Sequence, residues 1–219
     1  MIHFNDIINN PEIKAYIRSA DASLNALGYT EHSFAHVGRV ADVAANILSA
    51  LGHNERVIEL AKIAGYLHDI GNLVNREEHS QSGAVMAFTI LRDMGMDPEE
   101  IAEITTAIGN HDEGTGVPVS DIAAALILAD KSDVRRSRVR NTEELAFDIH
   151  DRVNYSVTKS SLQVDRENKL LTLKLSIDET VGTVSDYFEI FLERMLMCRR
   201  AAQRFGLTFR LTINGIAMM

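Results

Sequence analysis

The stretch 64–74, AGYLHDIGNLV, constrains this chain more than any other. A histidine and an aspartate, His68 and Asp69, stand side by side where a run of small and apolar residues ends. An ionisable pair left uncompensated in apolar surroundings costs several kcal/mol. The pair therefore sits at an exposed helix end or beside something cationic that satisfies it.

The flanking sequence reads as helices. HVGRVADVAANILSAL puts His36, Val40, Val43 and Ile47 on one face at spacings of four, three and four, and Gly52 ends the helix. ERVIELAKIAGYLHDIG gives a second helix that stops at Gly71, and HSQSGAVMAFTILRDMG a third that ends at Gly95. DPEEIAEITTAIGNH opens with Asp97 as N-cap and Pro98 at the first helical position. SDIAAALILADKSDVRRSRVR reads as a fifth helix from a Ser120 cap. After residue 155 the period changes. Leu171, Leu173, Leu175 and Ile177 alternate along a strand, DRENK turns between two strands, 184–206 is an amphipathic helix, and TFRLTI is a further strand. Its apolar stripe of Val184, Phe188, Phe191, Met195 and Cys198 reads as core or interface. The expected fold is mainly α, a helical domain over 1–155 with a small C-terminal α+β (β-β-α-β) appendage over 156–219.

Polar residues recur on the apolar faces. His36 shares a face with three aliphatic residues, His111 follows Ile104, Ala107 and Ile108, and Asp130 ends IAAALILAD. With His68, Asp69 and His79 they make four histidines and two aspartates near the ends of five consecutive helices. Singly, each reads as a satisfied core histidine or a capping carboxylate. Together they would need many separate partners, whereas one or two divalent cations satisfy them all. Imidazole and carboxylate donors without thiolates suit iron, manganese, zinc, nickel or cobalt. The single cysteine, Cys198, excludes an internal disulfide and a multi-cysteine zinc site.

HVGRV, LHDIG, HSQSGA, NHDEGTG and ILADKSDVRR follow one another in an order that resembles the HD superfamily of metal-dependent phosphohydrolases, over roughly residues 30–140. The resemblance implies a helical bundle and a basic metal site of His36, His68, Asp69 and Asp130. It adds His79 and His111 for a second ion, with Asp69 bridging two divalent transition-metal ions. It is closest to the two-metal branches. Asn72 stands where many relatives carry a lysine able to touch phosphate, and the loop GTGVP lacks the tyrosine of the branch acting on cyclic dinucleotides.

Around this set, Lys131 and Arg138 fall within about 100° of Asp130 if one helix runs through them, with Arg135 slightly farther round. They read as phosphate-binding cations; a solvated helix face paired to Asp133 is the competing reading. His32, four residues before His36, reaches the rim or is a capping histidine; Asn72 joins the substrate-binding candidates, and Asp69 and Lys131 the catalytic ones. Asp112 and Glu113 either orient His111 or are polar loop residues. His3, His53 and His150 read as surface residues. A net charge of -9 argues against a nucleic-acid polymer as partner but not against a small phosphate ligand. No signal peptide or membrane span is visible, which points to a cytoplasmic protein. The expected function is hydrolysis of a phosphate ester or anhydride of a phosphorylated small molecule, a nucleotide foremost, by an enzyme able to form a homodimer. Two alternatives stay open. One is a di-iron oxygenase on the same ligands; the other is a non-enzymatic metal-containing sensing module.

Overall fold

The computed structural model describes residues 1–140 and 148–219. The helical part comprises α1 (Phe4–Asn9), α2 (Pro11–Ala26), α3 (Phe34–Leu51), α4 (Glu55–Leu67), α5 (His79–Asp93), α6 (Pro98–Gly109), α7 (Asp121–Lys131) and α8 (Ile149–Ser156). The expected caps are present: Asp97 accepts from Glu99 N, Ser120 from Ala123 N, and Gly52 closes α3 at φ 82°. Helix α7 is the axis of the bundle. Every residue from Ile122 to Ala129 is buried. Its alanines let α3, α4, α6 and α9 approach from different sides.

Two close backbone crossings bring α3, α4 and α5 together at His68. A Cβ on Gly65 would stand 2.7 Å from Ala41 Cα in α3. A Cβ on Gly71 would stand 2.0 Å from His79 O and 2.4 Å from Gly83 N in α5. Both glycines of the stretch 64–74 are thus places where only a hydrogen fits.

The sequence suggests one helix from 120 to about 140; α7 instead ends at Lys131, and only a short 3-10 turn follows at Arg136–Arg138. Ser132 Oγ donates back to Ala129 O, and Arg138 wraps round to donate to Asp133 O and Glu31 O. These contacts replace the helical ladder, so the helical-wheel placement of Arg135 and Arg138 does not apply.

Helix α8 runs directly into the C-terminal sheet of β1 (Val157–Asp165), β2 (Leu170–Ile177), β3 (Thr208–Ile213) and β4 (Ile216–Ala217), ordered 1-2-3-4. Strands β1 and β2 form an antiparallel hairpin; β2 and β3 are parallel, with Leu171 opposite Phe209 and Leu175 opposite Ile213. A parallel pair needs a crossover, supplied by α9 (Val184–Arg204). The alternating face of Leu171, Leu173, Leu175 and Ile177 is buried with Phe209, Leu211 and Ile213. On α9, Tyr187, Phe191, Met195, Met197 and Cys198 are buried, whereas Val184 and Phe188 are partly buried. Among the described residues no helix is long and apolar enough to cross a membrane.

Candidate metal centre

Four histidine Nε2 atoms and two carboxylates converge where the ends of α4, α6 and α7 meet the first turns of α3 and α5. His36, His68, His79 and His111 are all at most 2% exposed. His36 Nε2 lies 3.4 Å from Asp69 Oδ2 and 3.4 Å from Asp130 Oδ1. His68 Nε2 lies 3.1 Å from Asp69 Oδ2 and 3.6 Å from Asp130 Oδ1. On the other side, His79 Nε2 is 3.5 Å from Asp69 Oδ1 and 3.2 Å from His111 Nε2. Asp69 thus turns one oxygen to His36 and His68 and the other to His79.

The opposite ring nitrogens explain the orientation. His68 Nδ1 is 2.8 Å from Gly65 O, His79 Nδ1 3.0 Å from Arg76 O, and His111 Nδ1 2.6 Å from Ile108 O. A carbonyl only accepts, so each Nδ1 carries the proton and donates. For His68 and His111 the acceptors are last-turn carbonyls that the helix itself leaves free. His36 Nδ1 instead meets Asp133 Oδ2 at 2.8 Å. With Nδ1 protonated, each neutral ring directs the lone pair of Nε2 inward.

This arrangement fits divalent cations. His36 Nε2 and His68 Nε2 are buried and make no hydrogen bond of acceptable geometry, although carboxylate oxygens stand near. The facing lone pairs of His79 and His111 lack a proton to share while both Nδ1 atoms donate elsewhere. Bonds of about 2.0–2.2 Å to a common ion would hold neighbouring donors about 3–3.5 Å apart, as these are. Without a cation, protons take its place. Burial pulls His68 down, but Asp69 and Asp130 overcome it and hold the ring up at about 10. Burial, with the positive charge of His68 and Lys131, pushes His111 well below its ordinary range. Among the described residues two overlapping donor groups are evident: His36, His68 and Asp130, and His68, Asp69 and His111.

A cavity of 450 Å³ opens onto the cluster. His32, Asp69, His79, Asp130, Lys131 and Arg138 line it. His32 gives its Nδ1–H to Thr30 O at 2.7 Å, and burial keeps its pKa well below the usual histidine value. Lys131 is buried; burial opposes its charge, but Asp130 at 2.8 Å and Glu113 at 3.3 Å outweigh that and raise its pKa.

Two substrate-binding expectations are corrected. Asn72 lies beneath Asp69, where its amide donates to Asp69 O and Asp69 Oδ1, so it orients that carboxylate. Arg135 is absent from the cavity lining; Asp133, Ser137 and Glu31 hold its guanidinium because the chain leaves the helix before it. His150 is exposed, as expected of a surface residue, and stands at the rim of the cavity.

The sequence reading missed four contributors. Asp133 orients His36. Arg76 reaches the cavity beside His79, 5.7 Å from the Tyr29 ring centre. Phe191 and Arg194 enter the cavity from α9, so the appendage supplies part of the site wall. The only visible signal was the spacing of Asp133 three residues after Asp130; nothing local marks Arg194.

The fold and this donor set define a helical metal-site protein. Residues 33–155 match the HD-domain family, so the chain belongs to that family, and its His and Asp donors are assembled where they could hold a metal ion. It is similar to the uncharacterised protein MJ1020 of Methanocaldococcus jannaschii, 24% identical over 203 residues, covering 82% of this chain and 77% of the relative. It is also similar to ribonuclease Y of Thermosipho melanesiensis, 29% identical over 161 residues, covering 70% of this chain but only 30% of that protein. A crystal structure of a protein described as a predicted HD superfamily hydrolase, from an uncultured Thermotogales bacterium, matches with a TM-score of 0.45 and 29% identity over 57% of this chain and 67% of its own.

Proposed function

We propose that the protein is a phosphohydrolase with a dinuclear centre that cleaves a phosphate ester or anhydride of a small molecule, a nucleotide foremost. The observation that carries the reading is the split of Asp69, whose two oxygens face different histidine groups. His36, His68 and Asp130 would hold one ion, His79 and His111 the other, with Asp69 between. Bound ions would supply an activated water and neutralise phosphoryl oxygens.

The chain's own residues do the rest. Lys131 and Arg138 border the cavity and keep unused N–H donors for phosphoryl oxygens. Arg76 adds a third cation beside His79. His32 presents Nε2 as an acceptor, suited to hold a water or a substrate hydroxyl rather than to donate a proton. A cavity of 450 Å³ supports a small substrate over a polymer. Similarity to a protein named as a ribonuclease supports a substrate built on a nucleotide.

The test is metal analysis of protein purified without chelator, paired with phosphate release from a panel of phosphorylated metabolites. Two ions per chain and turnover of a nucleotide are expected. Iron with oxygen consumption and no phosphate release would overturn the reading.

A further inference from the structure

We infer that Arg194 binds a second anionic group of the substrate, so that the site takes compounds with two phosphoryl groups in preference to simple phosphomonoesters; this rests on the phosphohydrolase reading above. Arg194 lies on α9, beyond the residues that match the HD domain, yet borders the same cavity as Asp69 and Asp130.

Two contacts place its guanidinium. Arg194 Nε stands 2.6 Å from Glu113 Oε1 in an ion pair without hydrogen-bond geometry, and the guanidinium carbon stands 4.5 Å from the centre of the Phe191 ring. Among the described residues, the guanidinium makes no hydrogen bond. A planar fork placed by an ion pair and an aromatic face, with its N–H donors unspent beside a cavity, is prepared for bidentate contact with an oxyanion.

Position decides which anion. Glu113 splits its carboxylate, with Oε1 to Arg194 and Oε2 3.3 Å from Lys131 Nζ. Lys131 Nζ in turn lies 2.8 Å from Asp130 Oδ2. An ammonium and a carboxylate therefore stand between Arg194 and the donor cluster. A phosphoryl group seated at the cluster and a group seated at Arg194 are two different groups. Glu113 is one anion shared between two cations, Lys131 and Arg194.

The test is calorimetric titration of the metal-loaded full-length chain with methylenebisphosphonate, which carries two phosphonates, and with methylphosphonate, which carries one. Wild type should bind the bisphosphonate more tightly. Arg194→Ala should weaken the bisphosphonate by about tenfold or more and methylphosphonate by less than about twofold, with metal content unchanged. Arg194→Lys keeps the charge but loses the fork, and should lose several-fold on the bisphosphonate alone; it is the variant to read if Arg194→Ala does not fold. Equal weakening of both compounds, or of neither, overturns the inference and leaves Arg194 as a clamp between α9 and the helical domain. If wild type releases phosphate from substrates but binds both phosphonates alike, this inference fails alone. If wild type neither binds them nor releases phosphate from any compound, the phosphohydrolase reading fails with it.

Discussion

The ring of His36 meets the carboxylate of Asp133 at 2.8 Å, across 97 residues of chain. Asp133 also pairs with Arg39 Nε and Arg135 Nε, both at 2.9 Å, so it is held from three sides. Its oxygen fixes the tautomer that aims His36 Nε2 at the donor cluster. Asp133→Asn keeps the shape but removes the charge, and metal affinity should fall about 10–100-fold. Competition with a chromophoric chelator measures it; unchanged affinity would show that packing alone orients His36.

Asp69→Ala removes what is, among the described residues, the only carboxylate that faces both histidine groups. The metal-to-protein ratio should drop to one or below, and phosphate release should fall to background while the chain stays folded. Elemental analysis alongside circular dichroism checks both halves. Full retention of two ions would mean that Asp69 does not bridge.

Gly71→Ala tests the packing beneath the centre. The added methyl would need to occupy space held by the backbone of α5, which cannot swing away as a side chain could. The loss should reach or exceed the ~1–3 kcal/mol of ordinary overpacking. Gly114→Ala is the control, since its Cβ would meet nothing within 4 Å, and should stay within about 0.5 kcal/mol. Urea unfolding at fixed metal concentration gives both numbers. Equal stability of the two variants would refute the interlock.

Protonation of His68 gives the metal-free protein a distinct pH profile. Burial lowers its pKa, yet Asp69 and Asp130 hold it at about 10, above the ordinary 6.5. A group raised on folding stabilises fully below its unfolded pKa and loses that contribution as pH climbs through the folded value. The chelator-treated protein should therefore lose stability steadily between pH 6.5 and 10, by a few kcal/mol in order of magnitude. His68→Gln should flatten the slope. Thermal scans across that range decide it; a flat wild-type profile would show that no proton replaces the cation.

The helices and the donor set could be read from the chain because both follow local rules. Periodicity marks the buried faces, and a histidine or aspartate on such a face stands out. Asn72 and Arg135 could not be placed this way. The first lies in a 3-10 turn after α4, and the second follows the break at Ser132, where tertiary hydrogen bonds override helical continuation. Arg194 was hidden for a different reason. It is one polar position on an amphipathic helix, and only the β2–α9–β3 crossover brings it to residues more than sixty positions earlier.

Three of the four donor histidines take their orientation from main-chain carbonyls three residues back, not from other side chains. Their aim is therefore inherited from the backbone and exists as soon as the helices and the turn before α5 are packed. In a zinc finger the ion and the fold arrive together. Here rings already set by the backbone lead one to expect folding before loading, with ions removable by a chelator while the chain stays folded. Which metal serves the protein then depends on what the surroundings offer a ready-made set of donors, and on how long each ion stays.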